Sequence, residues 1–293
     1  MNLRSLIIFP TLAVVTACSA EKKAVAAQPN VNEVREEGSV PPRASVVDPP
    51  TSAYNQIAVM EPARITGTVE FKGTFPLDST IRPAAEKGGC GPRILDRQVE
   101  HAGARVGGAA VWLTDIRSGK ARPVERRFEL VNEDCLLDPR VQIVMASGTL
   151  NIISDDVAMH RNRIINVATG KTEAVAPFND NGQVVPFDRL LSAPAELEVV
   201  CDLHPWSHAW IVVLDHPYYA TTSKTGEFTL DGVPPGTYHL RAWHPALGRA
   251  DQTITVTGGA QASVDLELTA TPPAPSAGPG PAPAGGGSTS PNG

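Results

Sequence analysis

The sequence predicts an all-β protein made of two β-sandwiches. Three observations carry that expectation. Between about residues 62 and 269 the chain breaks into short β-branched or aromatic runs separated by turn residues. No segment keeps a helical period for more than a turn or two. The 27 prolines are densest towards the two ends, leaving a middle able to build a core.

The elements follow in chain order. In RITGTVEFKG, Ile65, Gly67, Val69 and Phe71 share one face, while Thr66, Thr68, Glu70 and Lys72 take the other; the run stops at Gly73. Then come AAVWLTDI, RFELVN, VQIVMA, TLNIISD, RIINVA, LEVV and AWIVVLD, and after them YYATTS, EFTL, TYHLRAWH, QTITVT and SVDLEL. Two modules are expected, 62–215 and 216–269. The join at LDHPYYA offers no flexible linker, so the two should pack rigidly.

The ends read differently. Residues 18–61, rich in Ala, Pro, Glu and Val, read as a flexible spacer with a reach of roughly 35 Å. Residues 270–293 are low-complexity Pro, Ala and Gly, too poor in apolar side chains to build a core, and are expected to be disordered. The first 17 residues pair a basic start at Arg4 with an apolar stretch from Leu6 to Val15. Val15-Thr16-Ala17-Cys18 resembles the lipobox of bacterial lipoproteins. That resemblance implies cleavage before Cys18, lipidation of Cys18 and anchoring to a lipid bilayer in the cell envelope. Ser19, rather than an aspartate, implies the outer membrane, facing the periplasm or the cell surface. An ordinary signal peptide that happens to contain a cysteine is the plainer alternative.

Charge and cysteine count narrow the function. The net charge of -6 gives no basic face for nucleic acid. In an oxidising compartment cysteines tend to pair. With Cys18 lipidated, Cys90, Cys135 and Cys201 remain, and three cannot all pair within one chain. One disulfide, Cys90 with Cys135, and one special thiol, Cys201, is the economical solution; the competing idea is that Cys90 or Cys135 supplies a metal thiolate. There is no Cys-x-x-Cys pair for a zinc ribbon, no GxSxG, no phosphate loop and no evident catalytic carboxylate pair, so no enzymatic activity is expected.

The stretch CDLHPWSHAW, Cys201 to Trp210, concentrates the chemistry. A mononuclear electron-transfer copper site needs one thiolate and two imidazoles in a roughly trigonal plane, with a weak axial donor. Cys201 and His204 come from one loop, and His160 in ISDDVAMHRNRI ends a strand-like run upstream. This pattern resembles the blue copper proteins of the cupredoxin fold. More closely, AAVWL, SDDVAMHRN, CDLHPW and LDHPYYATTSKTGEFTLDGVPPGTYHLRAWH together resemble exported plastocyanin-like proteins. In these a cupredoxin-like half is joined to a carboxypeptidase-regulatory-like half. The resemblance implies a cupredoxin-like Greek-key sandwich packed against a smaller transthyretin-like β-sandwich. It also implies copper on His160, Cys201 and His204, and a redox or envelope protein partner.

Two positions depart from that group. Ser207 stands where methionine usually supplies the axial thioether, with His208 as the substitute axial ligand, and Arg140 stands where a histidine is common. The alternative is therefore an envelope structural or interaction module without metal, with Cys201 as a buried thiol. Trp206 and Trp210 are expected to cover the core, His216 and His244 to hydrogen-bond where the modules meet, and His101 and His239 to have no constellation around them.

Overall fold

The computed structural model describes residues 40–48, 53–83 and 89–270, all within one compact unit. Cys18, the expected signal segment and the tail beyond residue 270 lie outside the described residues.

The architecture is all-β, with two sandwiches. In the first, a four-stranded sheet runs in the order Leu136–Asp138, Arg127–Glu133, Thr149–Ser154, Val184–Phe187. It faces a five-stranded sheet ordered Val141–Met145, His208–Leu214, Ala195–Cys201, His160–Asn166, Thr172–Phe178. Strict alternation explains why these segments are strands: every second residue of Thr149–Ser154 and of Thr172–Phe178 is buried. Their inward side chains, among them Leu150, Ile152, Ile164, Phe178, Leu197, Val199 and Ile211, fill one core.

The second sandwich has one sheet ordered Tyr219–Thr221, Ala110–Leu113, Gly236–His244, Gly248–Val256. The other is ordered Glu227–Val233, Ala63–Glu70, Arg105–Gly107, Glu100–Ala102, with Gln261–Glu267 also pairing with Ala63–Glu70. This strand pairing departs from the division expected at residue 215. Ala63–Glu70 runs antiparallel to Glu227–Val233 and parallel to Gln261–Glu267, so residues 63–113 complete the second sandwich rather than the first. The first sandwich, 127–214, is in effect inserted between strands of the second. Alternation tells which face of a strand is buried, and carries no information about which distant strand it joins.

A second correction concerns the spacer. Val46 and Val47 are buried in a cluster with Ala110, Trp112, Val141, Ile143, Val212, Leu214 and Trp243, at the contact between the sandwiches. Each buried valine contributes roughly 1.5–3 kcal/mol, which favours an ordered segment over a solvated one. Polar contacts fix it further: Val46 N–H donates to Glu196 Oε2 at 2.8 Å, Arg43 pairs with Glu198, and Arg241 donates to Val46 O at 2.6 Å and to Asp48 at 3.0 Å. Further on, Asn55–Gln56 pairs with Ser118–Gly119, and buried Tyr54 donates to Lys120 O at 2.8 Å.

Candidate metal centre

Strand register brings the three expected ligands together. Asn162 lies opposite Cys201 on neighbouring antiparallel strands. Two residues back along its strand, His160 shares the inward face of Asn162, so it points to the same spot as Cys201. The turn after Cys201 then folds back on itself: His204 N–H donates to Cys201 O at 3.1 Å, Ser207 N–H to His204 O at 2.8 Å, and Cys201 N–H to Ser207 O at 3.1 Å. That closed loop returns the His204 ring over the thiol.

The donor atoms form a small triangle. Cys201 Sγ lies 3.7 Å from His160 Nδ1 and 3.5 Å from His204 Nδ1, and the two Nδ1 atoms are 3.1 Å apart. A point equidistant from the three corners lies about 2.0 Å from each, close to the roughly 2.0–2.3 Å bonds of imidazole nitrogen and thiolate to a transition metal. His160 and Cys201 are 1% exposed and His204 2%. Two borderline nitrogens and one soft sulfur, buried on such a triangle, fit a copper-type donor set.

The surroundings set protonation. His160 Nε2 lies 2.8 Å from Asp156 Oδ2, which also accepts the Cys135 N–H at 2.9 Å. Burial opposes charge on His160, but its contacts with Asp156 and Cys201 outweigh it and raise its pKa to about 9. Burial likewise raises Cys201, yet the hydrogen bond from His160, with His204 close by, prevails and brings it down to about 6. Asp156 stays below the usual carboxylate range because, against burial, His160 and the Cys135 N–H stabilise its charge. Between those two pKa values the metal-free centre holds a thiolate beside an imidazolium. Its proton occupies the space between two nitrogens that cannot both keep bare lone pairs facing each other.

His208 is not at the centre, which corrects its assignment as an axial ligand. Its Nδ1 faces Glu198 Oε1 at 3.2 Å and its Nε2 donates to Pro205 O at 2.9 Å. The reason is alternation: one residue beyond Ser207, at the start of a strand, its side chain turns to the other face. Ser207 itself is fully buried, and its Oγ has no hydrogen-bond partner.

Cys90 and Cys135 form a disulfide and Cys201 is free, as parity suggested. Trp206 packs against the disulfide cluster and donates from Nε1 to Cys135 O at 3.1 Å, while Trp210 packs on the contact between sandwiches. His216 accepts from Tyr218 N–H and His244 from Ala246 N–H, each at 3.2 Å. Burial first, then Arg117 for His216 and Arg140 for His244, lowers their pKa values to about 4 and about 3, so both are neutral. His101 stacks on Phe75 and His239 pairs with Asp115. Sequence reasoning missed Asp156, whose signal was a carboxylate four residues before His160 in SDDVAMH. It also missed the approach of Cys90 to His204.

With the geometry in hand, comparison with known proteins gives one family match, over less than a quarter of the chain. Residues 203–269 match the carboxypeptidase regulatory-like domain. In the fold, this stretch begins in the Cys201–Ser207 loop, takes in the His208–Leu214 strand of the first sandwich and then runs through the second sandwich, which strands from residues 63–113 complete.

Among solved structures, similar chains include a Cu-containing nitrite reductase from Thermus scotoductus SA-01, at 17% identity and TM-score 0.28, matching 33% of this chain and 24% of that one. A purple cupredoxin from Nitrosopumilus maritimus matches at 17% identity and TM-score 0.26, over 30% of this chain and 99% of its own. An amicyanin mutant in the Cu(I) state matches at 14% identity and TM-score 0.26, over 32% and 86%. This chain thus spans about a quarter of the nitrite reductase's length. Comparison with curated proteins gives no match.

Proposed function

We propose that this protein carries a mononuclear copper site on His160 Nδ1, Cys201 Sγ and His204 Nδ1, and serves electron transfer or copper handling in the cell envelope, anchored by lipid on Cys18. One observation carries the reading: three buried donors of the right chemistry lie on a triangle whose centre is about 2.0 Å from each. A structural core needs no such convergence, since it leaves a thiolate and an imidazolium desolvated together.

Copper bound there supplies one-electron chemistry. The protein's own groups do the rest. Asp156 holds the His160 ring with Nδ1 turned inward. The Cys201–Ser207 loop fixes the spacing of sulfur and His204 through its own backbone hydrogen bonds. Burial of all three ligands excludes water. The trigonal set of two imidazoles and one thiolate, with serine in place of a strong fourth donor at position 207, favours copper over zinc, which takes four firm ligands.

Ser207 also supports a second reading, a scaffold that kept the donor triangle and lost the metal. Reconstitution separates the two: reduced, metal-free protein offered Cu(II) should take up one ion per chain and develop an intense thiolate-to-copper band. Absence of both favours the scaffold.

A further inference from the structure

The outer nitrogens of the two histidines do not meet solvent. His160 Nε2 meets Asp156, and His204 Nε2 lies 3.3 Å from Cys90 Sγ. A disulfide sulfur has no proton to give, so a hydrogen bond across this contact has His204 Nε2–H donating and sulfur accepting. The same disulfide reaches His160 by another route, because the Cys135 N–H donates to the Asp156 oxygen that holds the His160 ring. Trp206 closes the arrangement by donating to Cys135 O while its ring lies 5.3 Å from that of His204.

The chain is shaped to permit this. Gly89, beside Cys90, has φ +102°, and a Cβ there would sit 2.7 Å from Ala158 N, two residues before His160. Only glycine combines that backbone conformation with so close an approach. The loop carrying Cys90 is thereby pressed onto the loop carrying Asp156 and His160.

We propose that the Cys90–Cys135 disulfide is a positioning element for both imidazoles, holding each with Nε2–H turned outward and Nδ1 turned to the centre. This deepens the copper reading, on which its functional meaning rests. A disulfide that only staples loops would contribute stability by constraining the unfolded chain and would be indifferent to tautomers. A positioning role instead makes ligand geometry depend on the sulfur.

Nitrogen NMR of histidine-labelled, metal-free native protein tests this directly. His204 should carry a proton at Nε2 and none at Nδ1; the opposite tautomer overturns the inference. In the Cys90→Ala/Cys135→Ala variant, His204 should sample both tautomers, and copper affinity should fall about 10–100-fold with a displaced charge-transfer band. A folded variant with native tautomer, affinity and band overturns the inference, and an unfolded one leaves the decision to the native spectrum. Native protein that shows the Nε2–H tautomer yet binds no copper supports the clamp and removes only the copper reading. Native protein that binds copper with the wrong tautomer removes only the clamp.

Discussion

Replacing Asp156 by asparagine tests how the outer shell sets the centre, and its effect should depend on pH in a definite sense. The carboxylate oxygen lies 2.8 Å from His160 Nε2 and 2.9 Å from the Cys135 nitrogen. Asparagine keeps the size and one acceptor oxygen but removes the charge. Loss of such a partner costs about 10–100-fold in metal affinity, or about 1.4–2.7 kcal/mol.

A second effect opposes it. With a pKa of about 9, His160 at pH 7 holds a proton that copper must displace, at a cost of about 2.7 kcal/mol. Without the carboxylate its pKa falls, and that competition weakens. The two effects offset each other at pH 7, and by pH 9 only the loss of the ligand's support is left. Chelator competition should therefore show wild type and Asp156→Asn close at pH 7, with the gap widening to about 10–100-fold at pH 9. Equal affinities at pH 9, or a gap that closes as pH rises, would refute the reasoning.

Other outcomes follow from the same geometry. At pH 7.5, between the Cys201 value of about 6 and the His160 value of about 9, each bound copper should release one proton, rising to two below pH 6; an indicator-dye titration measures it. His208→Ala should leave the copper spectrum unchanged, because both its ring nitrogens are engaged elsewhere; a shifted band would reinstate it as a ligand. Ser207→Ala removes a buried hydroxyl without a partner, so Tm should stay level or rise, the relieved desolvation being about 1–3 kcal/mol; calorimetry showing a fall of several degrees would contradict this. Trp112→Ala, at the contact between the sandwiches, should cost about 3–5 kcal/mol in denaturant unfolding.

Much of the fold was legible because alternation is a local property. Runs such as TLNIIS and TEAVAPF announce one buried face, and both are strands. Partner choice is not local, and there the reading failed: nothing in RITGTVE says that it lies beside QASVDLE, some 200 residues away. The spacer failed for another reason. Val46 and Val47 sit among prolines that forbid regular structure, yet an extended segment can still bury two valines across a contact and give its N–H to Glu196. At the site, residue chemistry and spacing were enough to nominate His160, Cys201 and His204. Removing His208 required the strand boundary, since one residue of register turns a side chain to the opposite face. The contact of His204 with Cys90 joins residues 114 apart, and no periodic pattern encodes it.

The central claim is that copper binds at the triangle of His160, Cys201 and His204, and absorption spectroscopy of the reconstituted protein tests it most directly. Wild type should bind one Cu(II) per chain and show an intense visible thiolate-to-copper band that Cys201→Ser abolishes while the fold persists. A colourless wild-type protein without stoichiometric copper, or a band that survives Cys201→Ser, would contradict it.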